Sequence, residues 1–442
     1  MEPRTQPVVQ NAPMAAYSQT LEGLPAELRM ALLLNMPDLA TLSRLVHASP
    51  VFHAQYLLER KSILFFVLLK ETTDDVLVDV YAAFKSHPSR IGPPKKPHTN
   101  MLCFLESTYL AWRSRSITTR PTLDTYSLEE LSGMASFQQS MVNPLATHFV
   151  SWALANFRSH PAQLSAQPFG SEEALTRTER TRVMRALYRF EEFCNLLREP
   201  NYEIFVGIDP NEFFFSSLDL EPWEAEEVCT VFAFVKEKYE AVLDNVKWDL
   251  DEANPRFDSE LEPELEGLAF GIDKEYDDSS FHRSDLAAEF LNGTIGHGGL
   301  NLALKMIEAE THNERVDLMT RSLRLGGHFL EEGTGFASQM RRRFIHPKLD
   351  GDGAEERRQA MPFAGDEAGA PPLAWTLLWG GRYSSLFGES VPVELRRWGY
   401  VIWDARRLDV DRTKDYLKDL WESSPALMLV CRHWGWMSDL LE

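Results

Sequence analysis

Residues 24–64 read LPAELRMALLLNMPDLATLSRLVHASPVFHAQYLLERKSIL, and this stretch sets the expectation for the fold. Leucines recur every four residues, the spacing of one face of an α-helix: Leu24, Leu28 and Leu32. Pro25 suits the first turn of that helix, and Pro37 pushes the residue before it out of the helical region. The segment therefore predicts a short helix that closes before Pro37.

Two further helices follow by the same local rules. Asp38 is a suitable N-cap for a second helix, whose apolar face consists of Leu39, Leu42 and Leu45. The Ser49-Pro50 pair restarts the chain as a third helix, because serine caps well and proline is tolerated at the first helical position. Phe52 and Tyr56 then lie on one face of that helix.

Three short helices cannot bury all of these leucines internally, since so small a unit lacks interior volume. Some of the apolar area is therefore expected to seek a partner. Each large aliphatic side chain buried in a partner contributes about 1.5 to 3 kcal/mol. Four or five such side chains could support micromolar to nanomolar binding after the costs of association.

At these residues the sequence resembles the F-box family, whose pattern opens Leu-Pro-x-Glu-Leu and continues into a leucine-containing second helix. The matching residues are Leu-Pro-Ala-Glu-Leu at 24–28, Met-Pro-Asp-Leu at 36–39 and Ala-Ser-Pro at 48–50. More narrowly, the stretch is similar to F-box-like proteins of filamentous fungi. The resemblance covers about a tenth of the chain.

The resemblance implies a substrate-recognition subunit of a cullin-RING (SCF-type) ubiquitin ligase. Such a protein binds a Skp-type adaptor, and through it the cullin scaffold, while its body holds a protein client. The adaptor-binding positions implied by the motif are Leu24, Pro25, Leu28, Leu39, Leu42 and Pro50. In this interpretation the protein is not an enzyme and needs no cofactor.

The whole chain is expected to be mainly α-helical, because 3.6-residue periodicity recurs along it and alternating strand patterns are scarce. The predicted organisation is a three-helix F-box followed by a larger, irregular α-helical domain. Its bounds are a disordered tail at 1–20, the F-box at 21–60, a helical domain at 61–248, an acidic linker at 249–285, and a C-terminal helical part at 286–442 with a flexible loop at 348–372.

Three helices of the larger domain are predicted individually. An amphipathic helix should span 176–198, with its charges between the apolar positions. A second should begin after Pro222, with acidic residues in its first turn. A third should start with Thr311 and Glu314 as a capping box and stop at Gly326-Gly327.

Composition excludes several classes of function. The chain of 442 residues carries 45 Lys and Arg against 66 Asp and Glu, a net charge of −21, which opposes binding to nucleic acid. Its longest clean apolar run is seven residues, too short to span a membrane. None of the four cysteines lies within four residues of another, so a thiolate metal site is not expected. A cytoplasmic or nuclear protein with reduced thiols is predicted.

Some alternatives remain open at this stage. The chain could be a helical enzyme that uses buried acids in a deep cleft, or a non-degradative interaction protein whose leucines all face inward against Ile63–Leu69. The glycine-rich segment 292–300, NGTIGHGGL, is interpreted as a flexible turn and only weakly as a phosphate site. The segment 395–408, LRRWGYVIWDARRL, is equally compatible with core packing and with a client-binding groove.

Overall fold

The structure is a computed structural model. It describes the chain in several ranges: 20–87, 104–113, 121–159, 175–197, 214–215, 220–250, 254–255, 283–324, 330, 334 and 359–423. The tail predicted at 1–20 lies outside these residues apart from its last position. Most of the acidic linker at 249–285 and the first part of the loop at 348–372 also lie outside them.

Three short helices open the described chain: α1 (Ala26–Leu34), α2 (Leu39–Ala48) and α3 (Pro50–Leu58). The Asp38 side chain accepts a hydrogen bond from the Thr41 N–H at 2.6 Å, and Ser49 Oγ accepts one from the Phe52 N–H at 3.3 Å. Both predicted N-caps are therefore confirmed. Pro25 stands just before α1, as its N-cap residue.

Two longer helices come next, α4 (Arg60–Thr72) and α5 (Asp74–Ser86). Each of α1, α2 and α3 packs against α4. Most of α4 is buried, including Ile63, Leu64, Phe65, Val67 and Leu68. Helix α4 therefore connects the three N-terminal helices to the core of the protein.

The middle of the chain is also helical. A π-helical turn at Phe104–Tyr109 leads into α6 (Leu110–Arg113), and α7 (Leu128–Phe137) continues through a second π turn into α8 (Asn143–Ser159). Two long helices lie at the centre, α9 (Arg177–Leu197) and α10 (Pro222–Leu250). Their starts confirm the helices predicted at 176–198 and after Pro222.

The C-terminal part begins with α11 (Arg283–Glu308) and α12 (His312–Ser322). Short helices follow in a largely irregular region: α13 (Leu373–Leu378), α14 (Val393–Arg397) and α15 (Val410–Ser423). One isolated antiparallel bridge joins Ala360 to Arg382, and the described ranges contain no β-strand. The mainly α-helical class predicted from the sequence is confirmed.

A single hydrophobic core runs through these elements. It extends from Leu33 in α1 to Leu417 in α15, and tryptophans of the C-terminal region lie at its centre. Trp375, Trp398 and Trp403 are among its largest fully buried side chains. Within the part of the chain that the structure describes, no helix is both long enough and apolar enough to cross a membrane.

Two sequence predictions about the C-terminal half were wrong. Residues 292–300, predicted as a flexible turn, are helical within α11 except at Gly299 (φ 55°, ψ −156°), where a non-helical backbone kinks the helix. The reason is tertiary: a Cβ on Gly298 would collide with Leu302 and with the Tyr239 hydroxyl of α10, so the glycine allows the helices to approach closely. Helix α12 starts at the predicted Thr311–Glu314 capping box but ends at Ser322, because the backbone of buried Leu323 (φ −58°, ψ 125°) leaves the helical region.

The amphipathic character predicted for α9 was also wrong. Val183, Leu187, Phe190 and Phe193 are buried as expected, but the charged residues between them are buried too. Among the side chains of α9 that the structure describes, the exposed ones are Arg177 and Arg180 in the first turn. The helix is surrounded by α5, α8, α10 and α11, and several of its charges, among them Arg185 and Arg189, are compensated by ion pairs instead of by water.

Candidate functional site

The six positions implied for adaptor binding fall into two groups. Pro25, Leu28 and Pro50 are exposed, with Leu28 at 52% of its full accessibility, and Leu24 is half-buried. In contrast, Leu39 and Leu42 are buried at 3% and 4% in the chain's own core. The structure therefore places four of the six positions at the surface and two beneath it.

Three further large apolar side chains are exposed in the same N-terminal segment. Leu21, Leu57 and Leu58 are also exposed, and Leu58 reaches 78% accessibility, the highest value among the large exposed hydrophobic residues described. We call this set the N-terminal apolar surface; its members are Leu21, Leu24, Pro25, Leu28, Pro50, Leu57 and Leu58. Large apolar side chains grouped in this way mark interaction sites more often than isolated ones do.

Polar contacts hold the turn before α1 against the start of α3. The chain forms a short 3-10 turn at Leu21–Gly23, and Glu22 Oε1 accepts a hydrogen bond from Ser49 Oγ at 2.5 Å. Arg29 donates from Nη1 to the Leu24 carbonyl at 2.5 Å. These bonds make the Leu21–Pro25 stretch a neighbour of Pro50, although 25 or more residues separate them in the sequence.

The exposed side of α3 shows a helical spacing that the sequence interpretation overlooked. Pro50, His53, Ala54, Leu57 and Leu58 are all exposed and lie on one face of the helix, at intervals of three or four residues. The opposite side carries Phe52, which is fully buried. The sequence contains this second set of apolar positions in α3, but it does not show which of the two apolar faces of α3 is buried. Packing against α4 decides that.

Leu39 and Leu42 are part of the contact between α2 and the body of the protein. Leu39 is the first residue of α2, and its backbone N–H donates to Glu71 Oε2 of α4 at 2.9 Å. Lys70 donates from Nζ to the Asn35 carbonyl at 3.0 Å, which ties the α1–α2 connection to the same end of α4. The buried leucines and these bonds fix the orientation of the N-terminal helices on the body.

A buried ion-pair cluster lies between α5, α9 and α10. Arg185 of α9 donates to both oxygens of Glu227, at 2.8 and 2.5 Å, and also contacts Glu224 at 3.0 Å. Arg189 donates from Nε to Asp79 Oδ1 of α5 at 3.1 Å. All these side chains are almost completely inaccessible to solvent. Such a cluster fixes the mutual orientation of three helices, because each charge needs its partner in place.

Two further pairs anchor the segment 395–408. Glu226 of α10 accepts hydrogen bonds from Arg396 at 3.0 Å and from the Tyr400 hydroxyl at 3.1 Å. Arg407 donates from Nε to Glu179 of α9 at 2.6 Å. Since Trp398 and Trp403 of this segment are buried as well, core packing accounts for much of 395–408. Arg396 and Arg397 also line a cavity of about 450 Å³, so the segment contributes to both.

The pKa values of several buried acids are displaced in opposite directions. Burial, reinforced by the charge of Asp79, raises the pKa of Glu192 to about 8. Burial also acts to raise the pKa of Glu224, but the charges of Arg189, Arg113 and Arg185 outweigh it and hold that pKa far below its ordinary value. Glu192 is therefore protonated at neutral pH, whereas Glu224 is ionised.

Comparisons of this chain with models of protein families, with curated proteins and with solved structures give no match. The likeness of residues 24–64 to an F-box therefore stays a prediction.

Proposed function

We propose that this protein is an F-box substrate-recognition subunit of a cullin-RING (SCF-type) ubiquitin ligase. In this proposal the N-terminal apolar surface docks onto a Skp-type adaptor, which links it to the cullin scaffold, and the helical body holds a protein client. In this proposal the protein positions the client relative to the ligase and does not itself catalyse the transfer. Bringing a client close to the ubiquitin-carrying enzyme raises the effective concentration for transfer.

The observation that carries the proposal is the exposure of Leu28 beside Leu24 and Pro25. The Leu-Pro-x-Glu-Leu segment leaves Pro25 and Leu28 exposed and Leu24 half-buried, while most of the large hydrophobic residues in the described ranges belong to one core. Leu21, Leu28, Leu57 and Leu58 are 52–78% exposed. Covering them would contribute at most about 1.5 to 3 kcal/mol each before the costs of association. That is enough for a stable complex.

The buried positions take a different role in this proposal. Leu39 and Leu42 do not contact the adaptor directly in the conformation described; they hold α2 against α4 so that the exposed residues keep their arrangement. A rigid connection matters because a client on the body must be presented at a constant distance from the adaptor. The hydrogen bond from Leu39 to Glu71 supplies part of that rigidity.

The test is a binding titration between the full-length chain and a purified Skp-type adaptor. We expect saturable 1:1 binding by the wild type, and at least tenfold weaker binding by Leu28→Ala and by the double variant Leu24→Ala, Pro25→Ala, since a central interface leucine contributes roughly 2 kcal/mol. The matched control is Leu128→Ala, which truncates an exposed leucine on α7, outside this surface. Failure of the wild type to bind, or equal loss in the control, would contradict the proposal.

The third possibility, a motif that serves packing alone, requires the leucines to face inward. Leu39 and Leu42 meet that requirement, but Leu28, Leu57 and Leu58 do not. The same titration separates the two possibilities, because a pure packing motif predicts no adaptor binding at any concentration tested.

The alternative of a helical enzyme would be favoured by two buried acids with displaced pKa values that face one deep cavity. Glu224 does face a cavity, but arginines contact both of its oxygens. Glu192 does not line that cavity. The two carboxylates therefore lend no support to acid–base catalysis at a common site.

A further inference from the structure

Helix α9 presents a buried acid, Glu192, to the neighbouring helix α5. On either side of it along α9, Arg189 Nε donates to Asp79 Oδ1 and Asn195 Nδ2 donates to the Ala83 carbonyl, both at 3.1 Å. With about 3.6 residues per turn, Glu192 lies between these two residues around the helix as well as along it, so it faces α5. Side chains on a helix lean toward its N-terminus, which directs Glu192 toward Arg189 and Asp79.

The two acids at this contact are enclosed and poorly satisfied. The side chain of Asp79 and the whole of Glu192 have no accessible surface. Asp79 Oδ1 accepts from Arg189 and, at 2.5 Å, from the Tyr109 hydroxyl. Asp79 Oδ2 and both oxygens of Glu192 have no hydrogen-bond partner. Buried polar atoms are almost always paired, so three orphan oxygens at one contact between helices need a donor.

A proton on one of the two carboxyl groups supplies that donor. An ionised carboxylate can only accept, whereas a protonated carboxyl group has one O–H to donate. The donors choose the site: Arg189 and the Tyr109 hydroxyl both favour a negative charge on Asp79, and no group donates to Glu192. Burial and the charge of Asp79 accordingly raise the pKa of Glu192 to about 8. The proton therefore resides on Glu192 at neutral pH.

Two positive charges near Glu192 act in the opposite direction. The charged groups that act on this carboxyl come from α5, α6 and α9, and of these Arg189 and Arg113 lower its pKa. Both arginines also have acids of their own: Arg189 contacts Asp79, and Arg113 Nη2 lies 2.7 Å from Glu224 Oε2. Their effect on Glu192 is smaller than that of burial together with Asp79. The pair thus holds one proton and one negative charge.

We propose that Glu192 and Asp79 share this proton, with the Glu192 hydroxyl donating to Asp79 Oδ2, and that the bond is a pH-sensitive link between α5 and α9. A hydrogen bond from an acid to a carboxylate is charge-assisted and roughly twice as strong as a neutral one. When hydroxide removes the proton in mildly alkaline solution, water forms and two like charges remain face to face away from solvent. The contact between the helices is then weakened. The inference does not depend on adaptor binding.

The first test follows the carboxyl groups by NMR in the full chain labelled with 13C at the glutamate side-chain carboxyl. We expect one resonance that titrates near pH 8 and is missing from Glu192→Gln. In Asp79→Asn its midpoint should fall by at least about one pH unit, because the like charge beside it is gone. The matched control is Asp244→Asn, an exposed position on α10, which should leave the midpoint unchanged. An unchanged midpoint in Asp79→Asn that circular dichroism shows to be folded would overturn the proposal.

A second comparison tests the hydrogen bond itself and keeps Asp79 in place. Glu192→Gln retains an N–H donor for Asp79 Oδ2, whereas Glu192→Leu has a side chain of similar size and no donor. At about pH 6 we expect the folded-to-unfolded ratio of the leucine variant, from urea denaturation, to be roughly tenfold or more below that of the glutamine variant, since a buried acceptor loses its partner. Equal ratios would overturn the donation to Asp79, whether or not Asp79→Asn folds.

Discussion

The backbone N–H of Leu39 donates a 2.9 Å hydrogen bond to Glu71 Oε2, although 32 residues separate the two. The other oxygen of the same carboxylate accepts from Asn143 Nδ2 at 2.8 Å, and Arg180 lies 3.6 Å from it. One buried acid thus joins the N-terminus of α2 to α8 and α9. Its position also suits the positive end of the α2 dipole.

Replacing this acid should loosen the N-terminal helices. Glu71→Ala leaves the Leu39 N–H and the Asn143 amide without their acceptor, and loss of a buried charged hydrogen bond costs about 1.5 to 3 kcal/mol. We expect a decrease of that size in the free energy of unfolding, measured by urea denaturation. The control is Glu240→Ala, an exposed position on α10 that should change stability by less than about 0.5 kcal/mol. Equal effects of the two variants would contradict the role assigned to Glu71.

The N-cap of α2 gives a second prediction. Asp38→Ala removes the acceptor of the Thr41 N–H and should cost about 0.5 to 2 kcal/mol. Asp38→Asn keeps a side-chain oxygen at the cap and should recover most of that loss. Thermal unfolding followed by circular dichroism measures both variants, and an Asn variant as unstable as the Ala variant would argue against capping.

Stability should depend on pH through Glu192. Its pKa is about 8 in the folded chain, against an ordinary value of 4.5. Between those pH values the folded state keeps a proton that the unfolded state has lost, so the contribution of this group is greatest below pH 4.5 and falls as pH rises to about 8. The expected slope between these pH values is about 1.4 kcal/mol per pH unit.

Glu192→Gln removes this titration and nearly preserves the shape of the side chain. Its free energy of unfolding, compared with that of the wild type, should improve progressively from pH 5 to pH 8. Denaturant titrations at several pH values measure this difference. A difference that stays constant over the range would show that Glu192 does not carry the displaced pKa.

Two glycines with positive φ provide a matched pair. Gly388 (φ 66°) lies against Thr334, where a Cβ would collide with both side chain and backbone, whereas Gly381 (φ 72°) has open space around its Cβ direction. Gly381→Ala should cost only the backbone strain of about 1 to 2 kcal/mol. Gly388→Ala should cost clearly more, because Thr334 must also move. Urea denaturation of the two variants tests the order, and equal losses would contradict it.

Local chemistry made much of the secondary structure predictable from the sequence. The side chains of Asp38, Ser49 and Thr311 cap N–H groups only three residues away. Both partners of each hydrogen bond are therefore close together in the sequence. The start of α10 at Pro222 follows from the fixed φ of proline. The helical class itself follows from periodicity, which is also a local property.

Tertiary contacts determined the rest. Whether Leu28 or Leu39 turns inward depends on the position of α4, and both leucines fit a helical face equally well in the sequence. The charges of α9 looked solvated because their partners are remote: Arg185 meets Glu227 after 42 residues, and Arg182 meets Asp404 after 222. The order of nearby residues specifies the helices. The burial of each side chain and the pairing of each charge arise only when distant segments of the chain pack together. That packing removes the water that would otherwise solvate these groups.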